Sequence, residues 1–99
     1  MFEGRIEEGM ASGNFVIIYG QDGEITYQGS MKKGNKIGEG TLYKSYNENK
    51  ILYEGGWDKD LYNGQGVIYY DKIDTKKYVG EFFQGRYHGL GQLYWQTGN

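Results

Sequence analysis

Residues 78–94 read YVGEFFQGRYHGLGQLY, and the reading of this stretch decides the fold. An aromatic residue, Tyr78, is followed two places on by Gly80 and two further on by Phe82. Residues spaced by two share one face of a β-strand. Gly85 falls where a turn is expected, and Gly89, Gly91 and Leu93 then alternate again on a second strand. The segment reads as a β-hairpin whose inner face alternates rings and glycines. Glycine ordinarily weakens a strand. A ring laid across it covers the bare backbone and requires that position to stay small.

The same phrase recurs through the chain. Tyr27-Gln28-Gly29-Ser30-Met31 and Tyr53-Glu54-Gly55-Gly56-Trp57 repeat it, and Phe2-Glu3-Gly4-Arg5-Ile6 is a weaker copy. The starts at 2, 27, 53 and 78 give periods of 25, 26 and 25. Glycine recurs at the eighth place (Gly9, Gly34, Gly85, with Asp60 as exception) and at the twelfth (Gly13, Gly38, Gly64, Gly89). At the fourteenth stand Gly40, Gly66 and Gly91, with Phe15 in the first copy. An aliphatic follows at the sixteenth (Ile17, Leu42, Ile68, Leu93), then Tyr43, Tyr69 and Tyr94 at the seventeenth. Fourteen of the 18 glycines keep this register, which a flexible glycine-rich linker would not do.

One hairpin cannot bury its apolar face alone, but stacked hairpins can. The expectation is one all-β domain over residues 1–99, a single-layer elongated twisted antiparallel sheet. Its four repeats run at about 2–26, 27–52, 53–77 and 78–99. Strands are expected at 2–6 and 13–19, 27–31 and 40–46, 53–57 and 66–70, 78–82 and 91–95. Places twelve, fourteen and sixteen are expected to share the inner face. Ile6 and Phe15 read as an end cap, since terminal repeats are commonly atypical.

Composition narrows the function. Aromatics make up 17% of the 99 residues, with 11 Tyr, and net charge is only −2, so a packed domain is expected. There is no cysteine, hence no disulfide and no thiolate metal site. That suits a reducing compartment, and a cytoplasmic location is expected. No apolar run approaches a membrane helix, and nothing resembles a signal peptide. A pI near 5.3 argues against nucleic-acid binding.

The pattern Tyr-x-Gly-x-(Trp/Phe)-x-x-Gly-x-x-(His)-Gly-x-Gly resembles the MORN repeat family. Residues 78–94 are its closest copy, and His88 before Gly89 is typical of it. The resemblance implies an elongated sheet with a groove, and roles in scaffolding, dimerisation, peptide binding or, in some members, phospholipid contact.

No catalytic constellation accompanies the repeat, and no enzyme, cofactor or metal is expected. His88 has no companion set, and its place is explained by the repeat. Glu39, Glu54, Asp58, Asp60 and Glu81 fall at outer faces or turns, where charge is expected. Gly38-Glu39-Gly40 and Gly64-Gln65-Gly66 lack the Lys-Ser/Thr pair and helix of a phosphate loop. The reading is a non-enzymatic interaction or assembly module that takes a partner peptide, or a second copy of itself, in an aromatic groove. Its contact residues would be Tyr27, Tyr53, Trp57, Tyr78, Phe82, Leu93 and Trp95, with Met31 on the same face. Association through the last strand, 91–95, is expected because it lacks Pro and nearby charge. The alternative is a peripheral membrane adaptor that meets anionic phospholipid through Lys32, Lys33, Lys36 and Arg86.

Overall fold

Each copy turns back on itself over two residues held at positive φ. The pairs are Glu8 and Gly9 (53° and 78°), Lys33 and Gly34 (49° and 83°), Lys59 and Asp60 (49° and 70°), and Gln84 and Gly85 (50° and 82°). Two positive φ values in succession make the tight turn whose twist matches that of the strands it joins. Asp60 stands in for glycine because a short polar side chain tolerates this conformation.

The computed structural model describes residues 2–46, 48, 50–70 and 76–94. The turns join eight strands: β1 (Phe2–Glu7), β2 (Met10–Tyr19), β3 (Ile25–Lys32), β4 (Asn35–Ser45), β5 (Lys50–Asp58), β6 (Leu61–Tyr69), β7 (Lys76–Phe83) and β8 (Arg86–Leu93). They form one antiparallel sheet in sequential order. The molecule measures 45 × 31 × 14 Å, a single layer. This is the architecture expected from the repeat.

The second strand of each hairpin starts earlier than expected, directly after the turn. Glycine at the twelfth place does not open the strand; it sits in a bulge within it. Met31 pairs with Lys36 and Gly29 with Gly40, so residues 37–39 face the single residue Ser30. Gly38, Gly64 and Gly89 hold φ of 61°, 82° and 60° in these bulges. They therefore do not share the inner face with the fourteenth and sixteenth places, which corrects the expected alternation.

Two rows of residues cross the sheet. Gly29, Gly40, Gly55, Gly66, Gly80 and Gly91 are paired in one, and Tyr27, Leu42, Tyr53, Ile68, Tyr78 and Leu93 in the next. Each tyrosine lies back over the glycines, and its hydroxyl donates to the carbonyl three residues on. Tyr27 reaches Ser30 at 2.8 Å, Tyr53 reaches Gly56 at 2.8 Å and Tyr78 reaches Glu81 at 2.9 Å. A Cβ on Gly66 would meet Tyr53 Cζ at 2.6 Å, and one on Gly91 would meet Tyr78 Cε1 at 2.6 Å. The glycine row is thus the seat of the rings. With Ala11, Val16, Met31, Trp57 and Phe82 these tyrosines form the core.

Copy one departs by one residue. Val16 pairs with Gly29 and Ile18 with Tyr27, where copy two pairs Gly40 with Gly55 and Leu42 with Tyr53. Val16, not Phe15, therefore occupies the glycine place. Phe15 is the extra residue of a longer bulge and is 90% exposed. The expected end cap is corrected accordingly, since neither Phe15 nor Ile6, also exposed, closes the core. The same shift adds Tyr19 to the tyrosines of the outer face, each bonded to a polar neighbour. Tyr19 donates to Glu3, Tyr43 to Gln28 at 3.4 Å and Tyr69 to Glu54 at 3.2 Å.

Candidate functional site

The inner face is assembled by a rule between neighbouring copies. The fifth-place ring of one copy packs edge-on against the first-place ring of the copy before. Trp57 meets Tyr27 at 5.7 Å between centroids, and Phe82 meets Tyr53 at 5.3 Å. Trp57 also donates its indole N–H to Gly40 O at 3.1 Å. Edge-to-face pairs of this kind add about 0.5–1.5 kcal/mol beyond burial.

The tenth place completes the packing, and it was missed from the sequence. Tyr62 stacks on Tyr53 (3.8 Å, 10°) and Tyr87 on Tyr78 (4.1 Å, 12°). In copy two the same place is Lys36, whose ammonium lies 5.3 Å from the Tyr27 ring and 5.6 Å from Trp57. In copy one it is Ala11. Because its residues are Ala, Lys, Tyr and Tyr, the place shows no single chemical type to a repeat search. Its common feature is a backbone bond. The turn of the next copy donates an N–H to its carbonyl: Gly34 to Ala11 at 2.8 Å, Asp60 to Lys36 at 3.1 Å, Gly85 to Tyr62 at 2.9 Å. Asp60 adds a carboxylate bond to Lys36 N at 2.7 Å and stands 3.9 Å from its ammonium.

Of the residues expected to meet a partner, Tyr27, Tyr53, Trp57, Tyr78 and Phe82 are core, each no more than 5% exposed. Rings so placed leave little surface for a ligand, because Tyr27 and Tyr53 are covered by rings of the next copy and Tyr78 by Phe82 and Tyr87 of its own. Burial also raises the Tyr27 and Tyr53 hydroxyls far above the ordinary tyrosine value, with nearby Asp60 or Glu39 adding to the effect. Tyr62 is raised by burial as well. What remains of the groove is a cleft of about 310 Å³ between Lys36, Trp57, Tyr62 and the turn at Gly85. Trp95 lies outside the described residues.

Leu93 is different. It is 60% exposed, whereas its counterparts Ile18, Leu42 and Ile68 pack on the core. Tyr87 is 45% exposed and Leu90 87% exposed beside it. In the described residues no turn covers Tyr87 as Gly85 covers Tyr62. Copy four therefore presents an apolar end with β8 as an outer strand of the sheet.

The basic residues do not form a strip. Lys33 pairs with Glu8 at 3.4 Å and Lys36 with Asp60. Lys36 faces the rings, while Lys32 and Arg86 neighbour the inner Met31 and Tyr87 and so belong to the opposite face. His88 is exposed, its ring 5.5 Å from Phe83. Among the carboxylates, Asp60 holds the turn described above, Glu54 accepts from Tyr69, and Glu81 accepts from Leu90 N at 3.2 Å.

A family model described as the MORN repeat matches residues 53–72 and 78–99. No curated protein matches the chain.

Proposed function

We propose, from the premise that the chain carries MORN repeats, that it is an assembly module whose fourth copy takes up a further hairpin of the same kind. MORN repeats commonly serve as protein- or membrane-binding modules and are generally non-enzymatic. The observation that carries the finer reading is Tyr87. It stacks on Tyr78 as Tyr62 stacks on Tyr53, yet among the described residues no turn overlies it as the turn at Gly85 overlies Tyr62. The occupant we infer is a second copy of the chain. Its β1 edge and the N–H of its Gly9 correspond to the groups that Gly34, Asp60 and Gly85 use toward the copy before them. The two ends are thus complementary, and their contact is head-to-tail, closing into a ring or continuing as a fibre. A donated hairpin would hide Leu93, Leu90 and the open backbone row of β8 together.

Sedimentation velocity across micromolar concentrations tests this. The wild type is expected to associate with concentration, and Leu93→Lys, at an exposed position, to stay monomeric. A wild type that remains monomeric throughout overturns self-assembly. The two ion pairs that occupy Lys33 and Lys36 favour this protein-binding reading over contact with anionic lipid.

A further inference from the structure

The face opposite the rings carries a furrow of about 470 Å³ that crosses β2 to β5. Its floor is bare backbone at Gly29, Gly40 and Gly55, and it is broad because residues 37–39 bulge against Ser30. Glu54 stands on one wall and Glu39 on the other, and Phe15 closes one end. Thr41 pairs with Glu54 and Glu39 with Gly56, so the two glutamates are diagonal neighbours on adjacent strands. Diagonal Cβ atoms lie about 7–8 Å apart or slightly less, which leaves room for one ammonium or guanidinium between the carboxylates. Both are exposed, and among the described residues neither has an ion-pair partner. Among the described residues the slot occurs once: at the next junction Gln65 and Val79 take the corresponding places.

We propose that this furrow binds an extended, basic peptide segment of a partner protein, with a Lys or Arg between Glu39 and Glu54 and an apolar side chain against Phe15. Charge complementarity selects the basic residue, and a projecting aromatic that the fold does not use selects the apolar one. The spacing follows from the sheet. Phe15 on β2 stands roughly two and a half strands from the gap between the glutamates, about 12 Å at ~4.8 Å per strand. An extended chain rises about 3.3 Å per residue and puts alternate side chains on one face, so an offset of four, about 13 Å, fits the span and the recognised pattern is apolar-x-x-x-basic. The site is on the face away from Tyr87 and Leu93, and it does not rest on the assembly reading.

Fluorescence anisotropy with a labelled synthetic peptide, Gly-Ser-Leu-Thr-Ser-Thr-Arg-Ser-Gly, tests the proposal. The wild type is expected to bind it saturably and more weakly as salt rises. Glu39→Gln with Glu54→Gln should weaken binding about five- to tenfold, as two partly exposed charge pairs allow. Phe15→Ser should weaken it less. Leu93→Lys should bind as the wild type does, which separates this site from the assembly end. Three results would each overturn the proposal: no saturable binding up to millimolar protein, equal affinity for the peptide with Gln in place of Arg, or displacement by a neutral oligosaccharide. Both glutamates are exposed and the exchange to glutamine keeps their shape, so a circular dichroism spectrum like that of the wild type is expected.

Discussion

Copies one and three build the same hairpin by opposite means. In copy three Tyr53 lies over Gly55 and Gly66, donates to Gly56, and is itself covered by Tyr62, Trp57 and Phe82. In copy one the place of Gly66 is taken by Val16, fully buried, and the tenth place is Ala11. A β-branched side chain is packed into the core at the place where copy three keeps a glycine under a ring. The difference teaches that the conserved quantity between copies is filled volume over one glycine-sized site. Either a glycine under a ring, as at Gly66, or a buried valine, as at Val16, satisfies it.

The exchange of these two residues should break the comparison most severely. Gly66→Val drives a side chain into the Tyr53 ring, and overpacking of this kind costs about 1–3 kcal/mol. Loss of the Tyr53 hydrogen bond adds about 0.5–1.5 kcal/mol. Val16→Gly removes a fully buried side chain at about 1.5–3 kcal/mol. Thermal or urea denaturation should show both variants destabilised, Gly66→Val the more. If Gly66→Val melts with the wild type, the ring is not seated on the glycine.

Alkaline pH sharpens the same contrast. Copies two and three bury phenols on the inner face, whereas the first place of copy one is Phe2, which has no hydroxyl. Tyr27 and Tyr53 are raised in the folded state, chiefly by burial. Above the unfolded tyrosine value of about 10 the unfolded chain releases protons that the folded chain keeps. The stability these groups contribute is complete below that value and is lost as pH rises beyond it. Denaturant midpoints should therefore fall above pH 10, and less steeply in Tyr53→Phe. An unchanged slope in that variant would show that the phenol ionises freely in the native state.

The smallest effect is expected from removing Phe15 altogether. The deletion leaves Ser12, Gly13 and Asn14 before Val16, the same three-residue bulge that Ile37, Gly38 and Glu39 make before Gly40. A residue 90% exposed contributes little packing, so the change in stability should stay within about 0.5 kcal/mol. Deleting Ile17 instead moves alternate residues to the wrong face and should cost much more. Equal losses from the two deletions would contradict the one-residue offset.

The fold was legible in the sequence because the ring-glycine spacing repeats in strand period, as Tyr78, Gly80 and Phe82 show. The turns were legible too, and even Asp60 kept its place in the count. The early start of the second strands was not, because Gly38, Gly64 and Gly89 read equally well as strand residues or bulges. Counting at fixed intervals placed Phe15 in the glycine column and hid both Val16 and Tyr19. Of the candidate site, Leu93 is exposed, while Tyr27, Tyr53, Trp57, Tyr78 and Phe82 are core. Alternation tells which face a ring takes; it does not tell whether the next copy covers it. That depended on the tenth place, where Ala11, Lys36 and Tyr62 share a backbone bond to the next turn rather than a side-chain type.

Amide hydrogen exchange along the sheet at rising protein concentration tests the central claim most directly. The account predicts that amides of β8 exchange fast when dilute and become protected as concentration rises, together with those of β1. Amides of β5, paired on both sides, should stay protected at every concentration. Exchange in β8 that does not change with concentration would contradict the claim that copy four receives a hairpin from a second chain.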